Sequence, residues 1–415
     1  MTRRVPSGTL QEGRGPGRGA LVRSAPAWLL AAAWILWAGA SGAVLAEGGV
    51  SHVRVGSGVA TSPSRRCGAC HSPEFSLWVR HPHSHFLIDP SRDPRLVKAR
   101  WDGRAPGWAG NVQGRFDRSD VALAFGVLQI QVYFRRTPEG HLLLPAQWNL
   151  RERRWEPLPP ALQAVARDRI PWEEACAGCH TTGYDPVKRA FSEPNVGCSA
   201  CHGPGEAHAR SGGRKPILRP SELAPLARAA LCGACHSRGW APRTGRPYPV
   251  GFRPGEPLER SFRLERPDPA GATAYFWPDG TERLPFMEYQ GFLQSRHARS
   301  GLSCTTCHLP HGSDKPHGLR RRTEELCRGC HGRDLPDTPV HRGHPEGAAG
   351  CVDCHMTVVN PADRYMRVRT HTFRFLAPGG PPGRPDSCTA SCHADHDPAW
   401  AQGAIQGWKG GMRGR

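Results

Sequence analysis

Methionine and tyrosine are scarce in this 415-residue chain, at five and six copies, and acidic residues are short too. Thirty-six Asp and Glu stand against 55 Lys and Arg, a formal net charge of +19. No apolar run after residue 46 approaches the length of a membrane span. No cysteine stands outside a pair that is followed at once by His. That absence leaves no thiol over for disulfides, zinc or nucleophilic catalysis. The shortage of methionine excludes it as a general metal ligand. Met1 is in the leader, Met412 in the tail and Met356 directly after a motif His, so Met287 and Met366 are the remaining minor candidates.

What the chain does have is one device repeated eight times. Seven copies read C-x-x-C-H: Cys67-Cys70-His71, Cys176-Cys179-His180, Cys198-Cys201-His202, Cys232-Cys235-His236, Cys304-Cys307-His308, Cys327-Cys330-His331 and Cys351-Cys354-His355. The eighth, Cys388-Thr389-Ala390-Ser391-Cys392-His393, holds one extra residue between its cysteines. This is the attachment pattern of c-type haem. Two thiols add to the vinyl groups, and the adjacent imidazole becomes the proximal iron ligand. Zinc knuckles and thioredoxin-like pairs also use C-x-x-C, but neither requires His after the second Cys. The chain is expected to carry eight haems c. The count is seven if the Cys388 site is not used; a local disulfide or a single thioether there is the alternative.

The N-terminus agrees with this chemistry. Arg3, Arg4, Arg14, Arg18 and Arg23 precede an uncharged stretch from Ala25 to Ala46 that ends in Ala43-Val44-Leu45-Ala46. Residues 1–46 therefore read as a signal peptide cleaved before Glu47, or as an uncleaved N-terminal anchor. The expected location is the periplasmic or extracellular face of a bacterial cell, since covalent haem attachment takes place outside the bacterial cytoplasm. Those 46 residues carry five Arg and one Glu, so the remainder stands at +15. Sixteen propionates on eight haems would bring about −16 if ionised. The basic excess thus reads as propionate pairing by Arg rather than as a nucleic-acid footprint.

Glycine (49) and proline (41) are abundant, which favours loops and short helices around cofactors. The expected fold is mainly α and irregular, organised around packed haems, with a small β-rich insert. Motif spacing divides the chain into a first haem segment (47–95), a haem-free β-rich insert (96–170), a three-haem segment (171–240), a Pro/Gly-rich connector (241–290), a four-haem segment (291–400) and a flexible tail (401–415). Within the insert, 121–134 is rich in β-formers, Thr137-Pro138-Glu139-Gly140 signals a turn, and His141-Leu142-Leu143-Leu144 resumes the extended pattern.

Function turns on the sixth iron position, because the motif fills only one axial site. Thirteen histidines lie outside the motifs: His52, His81, His83, His85, His141, His208, His297, His311, His317, His341, His344, His371 and His396. They suffice for bis-histidine ligation at all eight irons with five to spare. Trp78 and Phe292 each precede a His by five residues, which makes His83 and His297 matching candidates. His208 follows a tight turn after His202. His311 lies too close to His308 to reach the far side of the same iron, so it is assigned to a neighbouring one.

Several runs resemble multihaem cytochromes of the cytochrome c-554 type. They include Pro171 to Tyr184, Gly197 to His208, Ser295-Arg296-His297, the run ending at His311, His344 to Gly347, Arg369 to Phe373 and the final segment ending at Asp395. The resemblance covers most of residues 65–400 and implies His83, His208, His297, His311, His344 and His371 as distal ligands. The choices among His81, His83 and His85, and between His341 and His344, stay open. The expanded last motif, His81-Pro82 and the missing tetratricopeptide tail depart from the family pattern.

The chain is thus expected to be an exported octahaem electron carrier, more a conduit than an enzyme. Its partners would be other redox proteins or membrane quinol-oxidising complexes, with no nucleic acid, and with membrane association only if the leader stays uncleaved. The alternative is a multihaem oxidoreductase with one open haem acting on nitrite, hydroxylamine, tetrathionate or a similar small molecule. Several reductases of that kind replace the motif His by Lys, and all eight motifs here keep His.

Overall fold

The computed structural model describes residues 63–101, 116–271, 273–332, 344, 348–361, 365 and 367–410. Residues 1–46, read above as a signal peptide or anchor, and His52, His341, Met366 and Met412 lie outside the described residues.

Regular structure centres on a five-stranded antiparallel sheet in sequential order: β1 (Leu87–Ile88), β2 (Leu123–Phe125), β3 (Ile130–Thr137), β4 (Gly140–Asn149) and β5 (Arg154–Pro157). Successive side chains point to opposite faces, and here both faces are covered. Leu87, Phe125, Val132, Phe134 and Leu143 enter one core, while Ile88, Ala124, Tyr133, Leu144, Ala146 and Trp148 enter another. This explains why β3 reads as a near-continuous apolar run rather than a clean alternation. A bulge between Val132 and Phe134 shifts the β3–β4 register. The sheet begins at Leu87, inside the first haem segment as the sequence divides it. The first core continues past the sheet into Leu158, Leu162, Val165, Trp172, Cys176 and Ala177, so the sheet buttresses the second motif.

Helices are short. They include α1 (Ser64–Gly68), α2 (Ser72–Trp78), α3 (Pro160–Arg167), α4 (Pro225–Gly233), α5 (Glu288–Gln294), α6 (Thr323–His331) and α7 (Pro398–Gly410). In α3, Pro160 occupies the first turn, where its missing N–H costs nothing, and Leu162, Val165 and Ala166 bury one stripe. Helices α4 and α5 pack through Ala229, Ala230, Tyr289 and Phe292, a third core that reaches Cys235 and Cys304. Among the described residues no helix is long and apolar enough to cross a membrane.

One segment departs from the sequence expectation. Residues 401–410 are helical, as part of α7, rather than a flexible tail. Asp397 accepts from the Trp400 amide at 2.8 Å, Ala401 is fully buried, and Trp400 and Trp408 rest on His393 and His344. An N-terminal cap and two anchoring indoles outweigh the helix-weakening glycines.

Candidate metal centres

Each regular motif folds as a single helical turn. The amide of the motif His donates to the carbonyl of the first Cys, at 2.8 Å in Cys67–His71, 3.2 Å in Cys176–His180, 3.0 Å in Cys198–His202, 2.8 Å in Cys232–His236 and 2.9 Å in Cys304–His308. The turn puts both thiols and the imidazole on one side, as covalent haem requires. The eighth motif reaches the same end with one residue more. His393 N donates to Cys388 O at 3.0 Å, an i→i+5 bond that closes a wider turn. Three motifs carry Gly where a neighbour presses in; a Cβ on Gly68 would lie 2.6 Å from the Phe75 ring. A Cβ on Gly178 would lie 2.1 Å from the Tyr248 ring, and one on Gly233 would lie 2.5 Å from Tyr289.

The motif histidines meet the remaining histidines in a regular way. His71 faces His208 with ring centres 6.4 Å apart, His202 faces His311 at 6.2 Å, and His236 faces His83 at 6.4 Å. His308 faces His371 at 6.4 Å, His331 faces His297 at 5.9 Å, and His393 faces His344 at 6.1 Å. An iron between two imidazoles holds each nitrogen about 2 Å away and each ring centre about 1 Å further, so the centres fall about 6 Å apart. The side chains present therefore fit haem iron. Interplanar angles run from 13° to 69°, a range that rotation of each ring about its own metal bond permits. Six partners, His83, His208, His297, His311, His344 and His371, each come from a different part of the chain than the motif they meet; His396, three residues after His393, also lies 6.3 Å from the His393 ring.

Their second nitrogens are anchored. Nδ1 of His202, His208, His308 and His371 lies 2.7–3.1 Å from the carbonyls of Leu218, Lys215, His317 and Arg369. Such a bond fixes the tautomer and leaves Nε2 free for a metal. Burial holds His83 and His371 below the ordinary imidazole range and pushes His308 down to about 4, which keeps them in the neutral, ligating form. His236 is the exception. Burial acts to lower it, but the Glu288 carboxylate, 3.6 Å away, dominates and raises it to about 9.

Of the spare histidines, His81 accepts from the His83 amide, Ser84 Oγ bonds the His85 ring at 2.9 Å, and His396 stacks on Trp400 at 3.9 Å. His141 Nδ1 lies 2.6 Å from Glu173. Met287 is fully buried at the start of α5. His355 ends a short helix at Cys351–His355 and is exposed. His180, pushed down to about 3 by burial, packs edge-on against Phe86 and Phe125.

Thiols of different motifs also come together, which nothing in the motif spacing announces. Cys67 hydrogen-bonds Cys198, Cys201 interacts with Cys232 and Cys235, and Cys232 hydrogen-bonds Cys304. Cys307 interacts with Cys327 and Cys330, Cys327 hydrogen-bonds Cys351, and Cys354 interacts with Cys388 and Cys392. Cys179 touches Cys235 and stands off this line.

Comparison with known proteins bears on the motifs and the fold. Residues 297–335 match the family model described as doubled CXXCH motif, and 158–203 match cytochrome c554 and c-prime. A search of curated proteins finds no match. Among solved structures, the chain is similar to the outer cell wall cytochrome OcwA (22% identity, TM-score 0.67, 84% of this chain and 87% of that one). It also matches an undecahaem cytochrome from the S-layer of Carboxydothermus ferrireducens (19%, 0.48, 85% and 60%). A third match is the Wolinella succinogenes octahaem sulfite reductase MccA, form II (14%, 0.38, 83% and 63%). The first of these shares the fold. Doubled motifs on that fold define a multihaem c-type cytochrome, and haem c is its cofactor.

Proposed function

We propose that the chain is an exported octahaem cytochrome that carries electrons between redox partners through mostly bis-histidine haems. The observation that carries this reading is the set of six motif imidazoles, each faced by a second imidazole with centres 5.9–6.4 Å apart. Haem c, when bound, supplies reversible one-electron exchange at iron. Backbone carbonyls hold four of these imidazoles, His202, His208, His308 and His371, through Nδ1, so ligation there need not change between oxidation states. Cys67, Cys70, Cys176, Cys179, Cys198, Cys201, Cys232, Cys235, Cys304, Cys307, Cys327, Cys330, Cys351, Cys354, Cys388 and Cys392 serve as attachment thiols in this reading, with His71, His180, His202, His236, His308, His331, His355 and His393 proximal.

The thiol contacts support a continuous path. Because each sulfur would bond a macrocycle edge, thiols of two motifs that lie near one another imply neighbouring edges. They run from the Cys67 site to those at Cys198, Cys232, Cys304, Cys327, Cys351 and Cys388. The neighbour that shares the fold is named for an outer cell wall, which accords with action outside the cytoplasm. Pyridine haemochrome and intact mass on the purified holoprotein test the count. Eight haems per chain support the reading. Seven, with Cys388 and Cys392 unmodified in the peptide map, would remove the wide-turn site.

A further inference from the structure

The thiols of the Cys232–His236 site meet three other motifs: Cys201 on one side of the line, Cys304 on the other, and Cys179 off it. We infer that the Glu288 carboxylate holds the iron site of His236 at a lower potential than the two sites that flank it on the line, those of His202 and His308. Electrons then cross an uphill step in the middle of the path and collect on either side of it. This deepens the proposed electron path and rests on Cys232 and Cys235 carrying haem.

The three proximal imidazoles differ in what backs them. Nδ1 of His202 and Nδ1 of His308 each turn to a backbone carbonyl at 3.0 Å. Nδ1 of His236 instead faces Oε2 of Glu288 at 3.6 Å, and that oxygen is buried and makes no hydrogen bond. A carboxylate behind a ligating imidazole draws on the Nδ1 proton, makes Nε2 a stronger donor and adds negative charge near the metal. Each effect favours the ferric state. The facing imidazole, His83, bonds the Pro310 carbonyl, which carries no net charge. Backbone contacts fix Glu288 in place as a positioning residue. It opens α5, and the two residues after it grip the chain at the end of the motif. Tyr289 N donates to His236 O at 3.0 Å, while the Gln290 amide accepts from Arg238 N at 3.1 Å and donates to Arg238 O at 2.8 Å.

The surrounding charges leave the difference standing. Arg238 is buried and interacts electrostatically with Glu288, which keeps the carboxylate ionised, but its Nε and Nη2 are committed to the Pro285 carbonyl at 3.0 and 2.9 Å. Burial pushes the Glu282 carboxyl above the usual range, and it bonds Thr370 and the His371 amide, so it adds little negative charge. Glu74 acts on His311 at the His202 site from an exposed position, where water and salt screen it. Glu288 also acts on His371, whose Nδ1 is turned to the Arg369 carbonyl, so the His308 site feels a weaker share of the same charge. An electron crossing the step moves between irons alone: no bond forms or breaks, and no proton moves while Glu288 stays ionised.

A redox titration of the full holoprotein, followed by paramagnetic resonance, tests the inference. Glu288→Gln is expected to raise the reduction equilibrium of one haem at least tenfold, about 59 mV for one electron. No other haem should move as far, and the haem count should stay the same. Glu288→Asp, which keeps the charge, should move the same component by less than tenfold and covers the case where the Gln variant does not fold. The flanking components are those lost from the low-spin set in His311→Ala and in His371→Ala. In the wild type the Glu288-sensitive component should lie below both. A component lying above either of them would overturn the uphill step. No tenfold shift in the Gln variant, an equal shift of all haems, or an Asp variant shifted at least tenfold would overturn the role of the carboxylate. A peptide map with Cys232 and Cys235 unmodified would instead sink the parent reading.

Discussion

A single imidazole decides whether each iron is closed, so the sharpest consequences lie at individual residues. The His311 ring meets that of His202 across more than a hundred residues of sequence, and among the described residues no other imidazole is paired with His202. His311→Ala is expected to add one high-spin haem per chain, read by paramagnetic resonance, while the haem count stays the same. Ser64 is a different kind of joint. Its hydroxyl donates to Glu193 at 2.8 Å and accepts from the Cys198 amide at 2.9 Å, tying the helix of the first motif to the third. Ser64→Ala should lower stability by about 1–3 kcal/mol, the cost of stranding buried polar groups, as measured by thermal unfolding of the holoprotein. Burial holds the Glu193 carboxyl above the usual carboxylate range, against the bond from Ser64. The native state therefore binds that proton more tightly than the unfolded chain. Its contribution is fully present below the unfolded value and is lost as pH rises through the folded one. Glu193→Gln should remove that dependence, so that the variant gains stability over wild type between mildly acid and neutral pH. An unchanged pH profile of the melting temperature would count against it. At this scale the sequence was informative about identity and silent about pairing. His208, His297 and His311 could be singled out locally, His83 only as one of three neighbouring histidines, and His371 by resemblance, with His344 left open against His341. Which motif each one meets depends on contacts such as His71–His208 that no local pattern encodes.

At the scale of elements, β3 and β4 were legible because their β-formers run up to a turn signal at Thr137–Gly140. Strand β1 was not, since two residues carry no period, and their pairing with Phe125 and Ala124 is set by the sheet. The helix α7 was hidden by its glycines. It matters because its two indoles sit on the pair His344 and His393, with ring centres 5.3 Å from Trp408 to His344 and 4.9 Å from Trp400 to His393. Removing residues 398–415 would expose that terminal site to water, which favours the ferric charge state. Its midpoint potential should fall by some tens of millivolts, on the order of 50 mV, with the other haems unmoved, in a spectroelectrochemical titration. A uniform shift of all haems would show instead that α7 supports the whole fold. The wide turn at Cys388 belongs to this scale as well. One extra residue in a motif looks like a defect in sequence, whereas an i→i+5 bond absorbs it and returns His393 to its partner.

For the molecule as a whole, the charge balance gives the widest test, because it depends on every haem at once. The sequence has a pI near 9.8 and 19 more basic than acidic residues. Such a surplus on an apoprotein would repel itself and attract polyanions. Without the leader the surplus is +15, and eight haems would set about sixteen carboxylates against it. Arginine forks would then pair propionates, and the surface that redox partners meet would be close to neutral rather than cationic. Isoelectric focusing of the processed holoprotein is expected to place it at least two pH units below the value for the sequence. Its binding to heparin or nucleic acid should then be weak at physiological salt. A holoprotein with a full haem count that still focuses above pH 9 would mean the propionates are protonated or buried away from arginine. In that case the basic residues form a docking face of their own, and electron transfer to acidic partners should slow steeply as ionic strength rises.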